Sequence, residues 1–470
     1  MPVGKLTKVL EGRALRIGQV VRDYPITLTV GVNGLLANFA VAFTEPTFGV
    51  FALLFTGAVL VKGRHTVTRM ILAAGIRASH HARFHRFFSQ ARWEMDALWE
   101  KLVRLLSEKL LAAAERIEVV IDETAQRRTG GKIYGVGMVY DNRPQARKGP
   151  SLRWGLTWVV ASVLVRVPLW GNHVFAVPVL ARLYRRKALC RKGCVRFKTK
   201  GQLALEMIEK LCSWLPGRRI VLLVDGNYAD HHLMLRLPEN VEVVSRVRYD
   251  AALWAPAPKR TGRMGRPRLH GRKLLRPAER VARRAKDWTP VLLPDGRGYE
   301  VQTWTALWWK VFRRRPIRIV ATRRPGSRRT DFFYATDLTL SVEAILMRYT
   351  DRWAIEGLFH EVKERMGFEE PQCRTEKAVE RTTPFLLWTA GLTQTWFLLQ
   401  NRRDLIGWRP RWWSKSRTKN APPSFSEMLA AMRRELLRGL LRGRLFHRST
   451  SETQLRETLN ALVESAAYAA

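Results

Sequence analysis

Acidic residues are scarce in this chain: 40 Asp and Glu stand against 82 Lys and Arg in 470 residues, a formal net charge of +42. Solubility alone does not require that imbalance, and it points to a polyanionic partner. Cysteine is scarcer still. The four residues Cys190, Cys194, Cys212 and Cys373 exclude a disulfide framework and suit a reducing compartment. Cys190 and Cys194 are close enough for a zinc site to be considered, but no second Cys/His pair follows at ligand spacing. A long hydrophobic run is missing as well. Residues 24–44 carry no charge but are interrupted by Thr27, Thr29, Gly31, Asn33, Gly34 and Asn38, and the next uncharged run, Pro46 to Val61, is 16 residues long, short of the roughly 20 that a bilayer requires. Both are expected to be buried core helices, not membrane segments. No apolar h-region follows the early lysines, so a signal peptide is not expected either, and the protein reads as cytoplasmic. No internal repeat and no low-complexity linker divides the chain.

What is present reads as a multi-part globular protein, with 46% hydrophobic residues for its core. Residues 1–115 have helical patterns. Within them, "GRHTVTRMILAAGIRASHHARFHRFFSQARW" holds two short helices, opening near Thr66 and Ser79 and separated by Gly75. The second would carry Arg83, His85, Arg86 and Arg92. It reads either as half of a helix-turn-helix gripping DNA ends or as a packing helix with a basic outer face. From 116 the pattern changes to strands. "RIEVVIDET" runs into Asp122, "KIYGVGMVYD" follows the Gly130-Gly131 turn, a third apolar segment spans about 154–169, "RRIVLLVDGNYAD" runs into Asp225, and "NVEVVSRVR" follows a short helix. This predicts an α/β protein with a mixed sheet and flanking helices over 116–249. Residues 250–340 are expected to be a basic, β-rich insertion. Residues 341–400 would return to the first layer, with Ser341 capping a single helix that runs to about Met366, and 401–470 would be basic and helical.

That helix carries "YTDRWAIEGLFHEVK". At about 100° per residue, Tyr349, Arg352, Glu356 and Lys363 fall on one face. A row of Tyr, Arg, Glu and Lys suits a surface that meets phosphate better than a core, although an exposed helix with an ordinary Arg352–Glu356 ion pair would read the same way. Asp122 and Asp225 each follow an apolar strand, where a side chain is held at the rim of a sheet, and Gly226 leaves space beside Asp225. Three carboxylates from two strands and a helix can bind two hard cations, which would reverse the local sign that otherwise repels a polyanion.

With those residues in view, the chain resembles the DDE transposases of bacterial insertion sequences, in the cut-and-paste branch with a β-rich insertion. Tyr349, Arg352, Glu356 and Lys363 match the signature Y-x2-R-x3-E-x6-K. "IDET" is similar to the strand ending in Asp-x-Thr, through Asp122 and Thr124, and "VDGNY" is similar to the second Asp element, through Asp225, Gly226 and Tyr228. The resemblance covers roughly 60–450, with 130 residues between Asp225 and Glu356 that fit an inserted domain. It implies a ribonuclease-H-like fold, with Asp122, Asp225 and Glu356 as ligands of two Mg²⁺ ions, for which Mn²⁺ could substitute. The implied reaction is Mg²⁺-dependent cleavage at transposon ends, followed by attack of the freed 3′-hydroxyl on target DNA. The implied partners are the terminal inverted repeats and target DNA, bound by a homodimer in a synaptic complex associated with the bacterial nucleoid. Tyr349, Arg352 and Lys363 inherit contacts to phosphates beside the cleavage site. Trp308, with Trp304 and Trp309, is a candidate to stack a flipped base, and equally a candidate core residue of a hairpin. A structure-specific nuclease of the same fold and a domesticated DNA-binding protein remain as alternative readings.

Three segments could follow a DNA backbone: Arg182 to Lys200, Lys259 to Lys286 and Lys310 to Arg329. Within the second, Gly265, Arg266 and Pro267 are similar to the core of a minor-groove hook, with Met264 where arginine is usual. Arg266 and Arg268 are therefore candidate DNA contacts, in a segment that also reads as a solvated loop. His231 and His232 follow Asp225 closely but read as helix residues, since Mg²⁺ prefers oxygen.

Overall fold

A computed structural model describes residues 30–76, 81–141, 151–171, 173–192, 195–258, 268–406 and 421–445. The chain begins in five helices: α1 (Val30–Ala37), α2 (Glu45–Leu60), α3 (Val67–Ala73), α4 (Ala82–Ser89) and α5 (Met95–Lys109). There follow β1 (Arg116–Arg127), β2 (Gly137–Asp141), β3 (Ser151–Arg166), β4 (Val174–Tyr184), α6 (Lys187–Lys192), α7 (Lys200–Trp214) and β5 (Arg219–Val224). Next come α8 (His231–Met234), β6 (Val241–Arg246), α9 (Pro277–Arg283), β7 (Thr289–Leu292), β8 (Gly298–Leu307), α10 (Trp309–Phe312), β9 (Pro316–Arg323) and β10 (Asp331–Ala335). The last helices are α11 (Val342–Asp351), α12 (Ala354–Arg365), α13 (Glu376–Gln400) and α14 (Phe425–Leu445).

Of the two uncharged N-terminal stretches, 46–61 is core, as its composition suggested, whereas in the other, residues 24–29 lie outside the described residues and 30–44 is only partly buried, with Val41 exposed. α2 is buried on nearly every side, and Phe39 and Phe51 meet the indole of Trp388 at 4.8 and 5.3 Å between ring centroids. Trp388 belongs to α13, which is buried from Ala378 to Leu398 except for its polar Glu380. The threonines in that helix are tolerated because Thr382, Thr389, Thr393 and Thr395 each donate to the carbonyl four residues back. No helix among the described residues is long and apolar enough to cross a membrane. Thr66 caps α3 as expected, its hydroxyl accepting from the Arg69 amide at 3.3 Å, and Gly75 follows with φ +71°. Ser79 lies outside the described residues. α4 ends at Ser89, so Arg92 is not on it, and Phe84, Phe87 and Phe88 bury one side of that helix. His85 and Arg86 are on its exposed side, an arrangement that both readings of the segment share.

Ten strands form one mixed sheet in the order β2-β3-β1-β5-β6-β10-β9-β8-β7, with β4 beside β2 on the outer edge of β3. β1, β5 and β6 are parallel neighbours, and their near-continuous Val, Ile and Leu is the pattern of strands covered on both faces. The fold class expected from the sequence is thus present. Several elements differ from expectation. β4 was not anticipated, because Pro178 interrupts its apolar run; the register of β3 and β4 shifts at Ala161/Ser162, opposite Pro178, where a missing N–H costs no ladder bond. Strand β2 is only Gly137–Asp141, the residues before it forming turns. The strands of 289–335 do not make a sheet of their own. β10 pairs antiparallel with β6 at Tyr334↔Ser245, so they extend the central sheet.

Candidate active site

Register places the two aspartates. β1 and β5 pair in parallel up to Ile121↔Val224, so Asp122 and Asp225 are the next residues on neighbouring strands. At Asp225 the chain leaves the sheet into a tight turn, Gly226–Tyr228. β1 does not end there. It runs five residues further, paired with β3 through Asp122↔Val160 to Arg127↔Gly155, so Asp122 stands within its strand where β1 loses its β5 neighbour. A Cβ on Gly226 would meet the Arg246 carbonyl at 3.5 Å, an ordinary contact, so the protein itself does not demand glycine there.

The expected single helix over 341–366 is two. Ser341 caps the first, accepting from the Ala344 amide at 3.1 Å. The bonding then tightens: Trp353 N donates to Thr350 O at 3.0 Å, Ile355 N to Arg352 O at 3.2 Å, and Glu356 N to Trp353 O at 3.0 Å. These shorter loops separate α11 from α12 and set Glu356 in the first turn of α12, which packs on β1 and β4.

Arg352, at the junction, joins the elements. Its Nη1 donates to Asp122 Oδ2 at 3.0 Å and its Nη2 to Glu356 Oε1 at 3.5 Å. The guanidinium lies 5.4 Å from the ring centre of Tyr349 and 5.1 Å from that of Trp353. Only 5% of Arg352 and 7% of Tyr349 are exposed, so these two are not on an open face of the helix. Tyr349 packs against Phe333 at 4.6 Å. The Glu356 side chain is 44% exposed, and Lys363 is half-buried two turns along α12.

Burial pushes the Asp122 carboxyl up to about 6, against the opposing pull of the Glu123 amide and Arg352 and with the help of the Glu123 and Glu356 charges. Glu356 is raised by burial too, with Asp225 adding to the rise and Arg352 opposing it. The three carboxyls therefore interact electrostatically, and one guanidinium under-compensates them. Their oxygens do not gather within 4.8 Å of one another. Among the described residues only Asp230, His231 and His232 do so, and there the Asp230 carboxylate caps the α8 helix that the two histidines open. An all-oxygen donor set with residual negative charge fits a hard divalent cation such as Mg²⁺ or Mn²⁺.

Other candidate residues are more widely placed. Arg268 is exposed, while Arg266, with the rest of 259–267, lies outside the described residues. Trp308 requires a correction. It is 7% exposed, with its ring against Tyr334 and Phe312 at 5.8 and 6.4 Å, so it is a core residue with no face open to a base. Trp304 lies under Arg280 at 4.7 Å, and Trp309 beside His270 at 4.9 Å. Cys190 is buried, and Cys194 lies outside the described residues.

Several neighbours of the site escaped the sequence reading. Glu123, adjacent to Asp122, is held by Lys200 and by Tyr228, whose hydroxyl donates to Oε2 at 3.0 Å. Helical geometry, by contrast, places Trp353 beside the stripe of Tyr349, Arg352, Glu356 and Lys363, and it is 57% exposed. A cavity of about 440 Å³ opens beside Tyr349, lined by Tyr299, Arg323, Arg324, Arg329 and Phe333; its arginines stand in one of the basic runs of the sequence, but their convergence on Tyr349 depends on the sheet.

No curated protein matches the chain. The family described as DDE superfamily endonuclease matches residues 38–313, a span that includes Asp122 and Asp225 and ends before Glu356. Endonucleases of that superfamily act on DNA and use divalent metals, usually Mg²⁺. With more than half of its length matched, and with the mixed α/β sheet of a ribonuclease-H-like DDE fold, the chain belongs to the DDE superfamily of endonucleases.

Proposed function

We propose that the protein is a DNA transposase whose reacting centre is formed by Asp122, Asp225 and Glu356. The observation that carries this reading is the bridge from Asp122 through Arg352 to Glu356, at 3.0 and 3.5 Å, beside the strand register that sets Asp225 next to Asp122. The three carboxylates would hold two Mg²⁺ ions. The chemistry supplied there would be activation of a water or 3′-hydroxyl for in-line attack and stabilisation of charge on the phosphate.

The chain's own residues supply the rest. β1 and β5 fix the two aspartates on a rigid sheet, so they need no reorganisation when substrate arrives. Arg323, Arg324 and Arg329 line the cavity that adjoins Tyr349, and their guanidinium groups suit phosphates along a strand that leads to the carboxylates. Lys363 and the exposed Arg268 extend the basic surface. The reading includes binding to terminal inverted repeats and to target DNA, with two copies of the chain in a synaptic complex.

The test is cleavage and joining of a labelled duplex carrying the element's end. Asp122→Asn, Asp225→Asn and Glu356→Gln should each reduce Mg²⁺-dependent cleavage by roughly 10³-fold or more while duplex binding persists. Normal cleavage by any one of them removes it from the centre. Cleavage without joining by the unaltered protein would identify a nuclease of the same fold instead of a transposase.

A further inference from the structure

Arg352 is a cation in the place where the proposed centre needs cations. Both of its Nη atoms are engaged by the carboxylates of Asp122 and Glu356, while its Nε, buried, has no hydrogen-bond partner. The rings of Tyr349 and Trp353 lie against the guanidinium and hold it in the bridge by cation–π attraction. The donor oxygens of Asp122, Asp225 and Glu356 meanwhile do not all lie within 4.8 Å of one another. We infer that Arg352 is an internal counter-ion that keeps Asp122 and Glu356 from divalent cations until a DNA phosphate draws the guanidinium away, so that metal and DNA load together. This rests on the reading of Asp122, Asp225 and Glu356 as the metal-binding carboxylates.

Charge supplies the argument. Asp122, Asp225 and Glu356 with Arg352 form a cluster with surplus negative charge. Two dications added while Arg352 stays would turn it positive, in a pocket where the arginine is already almost wholly removed from water and repulsion is weakly screened. A phosphate entering at the same time offsets part of the surplus and offers the guanidinium a bidentate partner at least as good as the carboxylates. The junction between α11 and α12 is suited to such an exchange. Trp353 is exposed on that side, and Arg352 belongs to the turn between the two helices, so its side chain can reorient without disturbing either. Metal affinity and DNA affinity are then reciprocally coupled.

The experiment measures Mn²⁺ binding to the full chain by electron paramagnetic resonance of the free ion, with and without a short duplex of arbitrary sequence, subtracting Mn²⁺ bound by the duplex alone. Without DNA, Arg352→Gln should bind Mn²⁺ about tenfold or more tightly than the unaltered chain, and Arg352→Lys, which keeps the charge, should stay near it. Adding the duplex should raise Mn²⁺ affinity of the unaltered chain by a similar factor and that of Arg352→Gln much less. Equal affinity of the unaltered chain with and without duplex overturns the inference, and this arm needs no variant to fold. So does equal affinity of Arg352→Gln and the unaltered chain, when Asp122→Asn abolishes binding. If Asp122→Asn and Glu356→Gln both bind Mn²⁺ as the unaltered chain does, the carboxylate reading itself fails, and the inference with it.

Discussion

Asp122 has a carboxyl that burial pushes up to about 6 from an ordinary value of 3.8. The folded protein therefore binds a proton there between about pH 4 and 6 that the unfolded chain does not. The stability this confers is fully present below 3.8 and is lost as pH rises through about 6. For the reaction the sign is opposite, because a protonated carboxyl is a poor ligand. Mg²⁺-dependent cleavage should fall as pH drops below about 6, approaching tenfold per unit if one proton controls it. Raising Mg²⁺ should move this acid limb to lower pH, because metal and proton compete for one group, and a limb indifferent to Mg²⁺ would assign the titration elsewhere. At this scale the sequence was legible in part. Asp122, Asp225 and Glu356 could be singled out by the strands before the first two and by the signature around the third. The bond from Arg352 to Asp122 could not, since it joins residues 230 positions apart. Nor could the burial of Tyr349, whose ring is covered by Phe333 from another part of the sheet.

The elements around the centre are tied by a second set of charges. Glu118, buried in β1 four residues before Asp122, accepts from Arg348 of α11 at 3.0 Å and from Arg166 of β3 at 2.7 Å. Arg166 also pairs with Asp351 at the end of α11. This cluster fixes the helix that leads into Arg352 against the strand that carries Asp122. Glu118→Gln keeps the shape but leaves two arginines short of a charge, and the loss is expected to be about 3 kcal/mol in urea unfolding, the size found when one partner of a buried pair is removed. It should also weaken cleavage by loosening the α11–β1 contact; an unchanged stability would mean the arginines find other partners. Helix and strand periodicity foretold most of these elements but not their joints. The pattern over 341–366 is helical throughout, and the tightening between Thr350 and Glu356 leaves no break in periodicity. Pro178 hid β4 because a lone proline usually marks an edge, whereas a bulge in β4 itself, beside Pro178, accommodates it here.

Across the whole molecule, local pattern located strands but not their order. Residues 289–335 read as a separate β-rich piece, yet β10 pairs with β6 and carries β9, β8 and β7 onto the sheet that holds Asp122 and Asp225. Pairing over such separations is decided by packing, which composition does not encode. One consequence is that the basic run at 310–329 and the carboxylate centre share a sheet, with Arg323, Arg324 and Arg329 converging beside Tyr349. Arg324, Arg328 and Arg329 are exposed, in a chain of net charge +42, and each phosphate they neutralise releases condensed counterions. If a duplex is contacted at roughly six to ten phosphates, affinity should fall about 10³- to 10⁵-fold between about 50 and 200 mM salt. Arg324→Ala and Arg329→Ala should each flatten the logarithmic salt slope by about one, with little dependence on duplex sequence. Fluorescence anisotropy of a labelled duplex against salt concentration measures both. A slope near zero would mean that the charge of this surface is not directed at DNA, and slopes unchanged in both variants would move the phosphate path away from the cavity beside Tyr349.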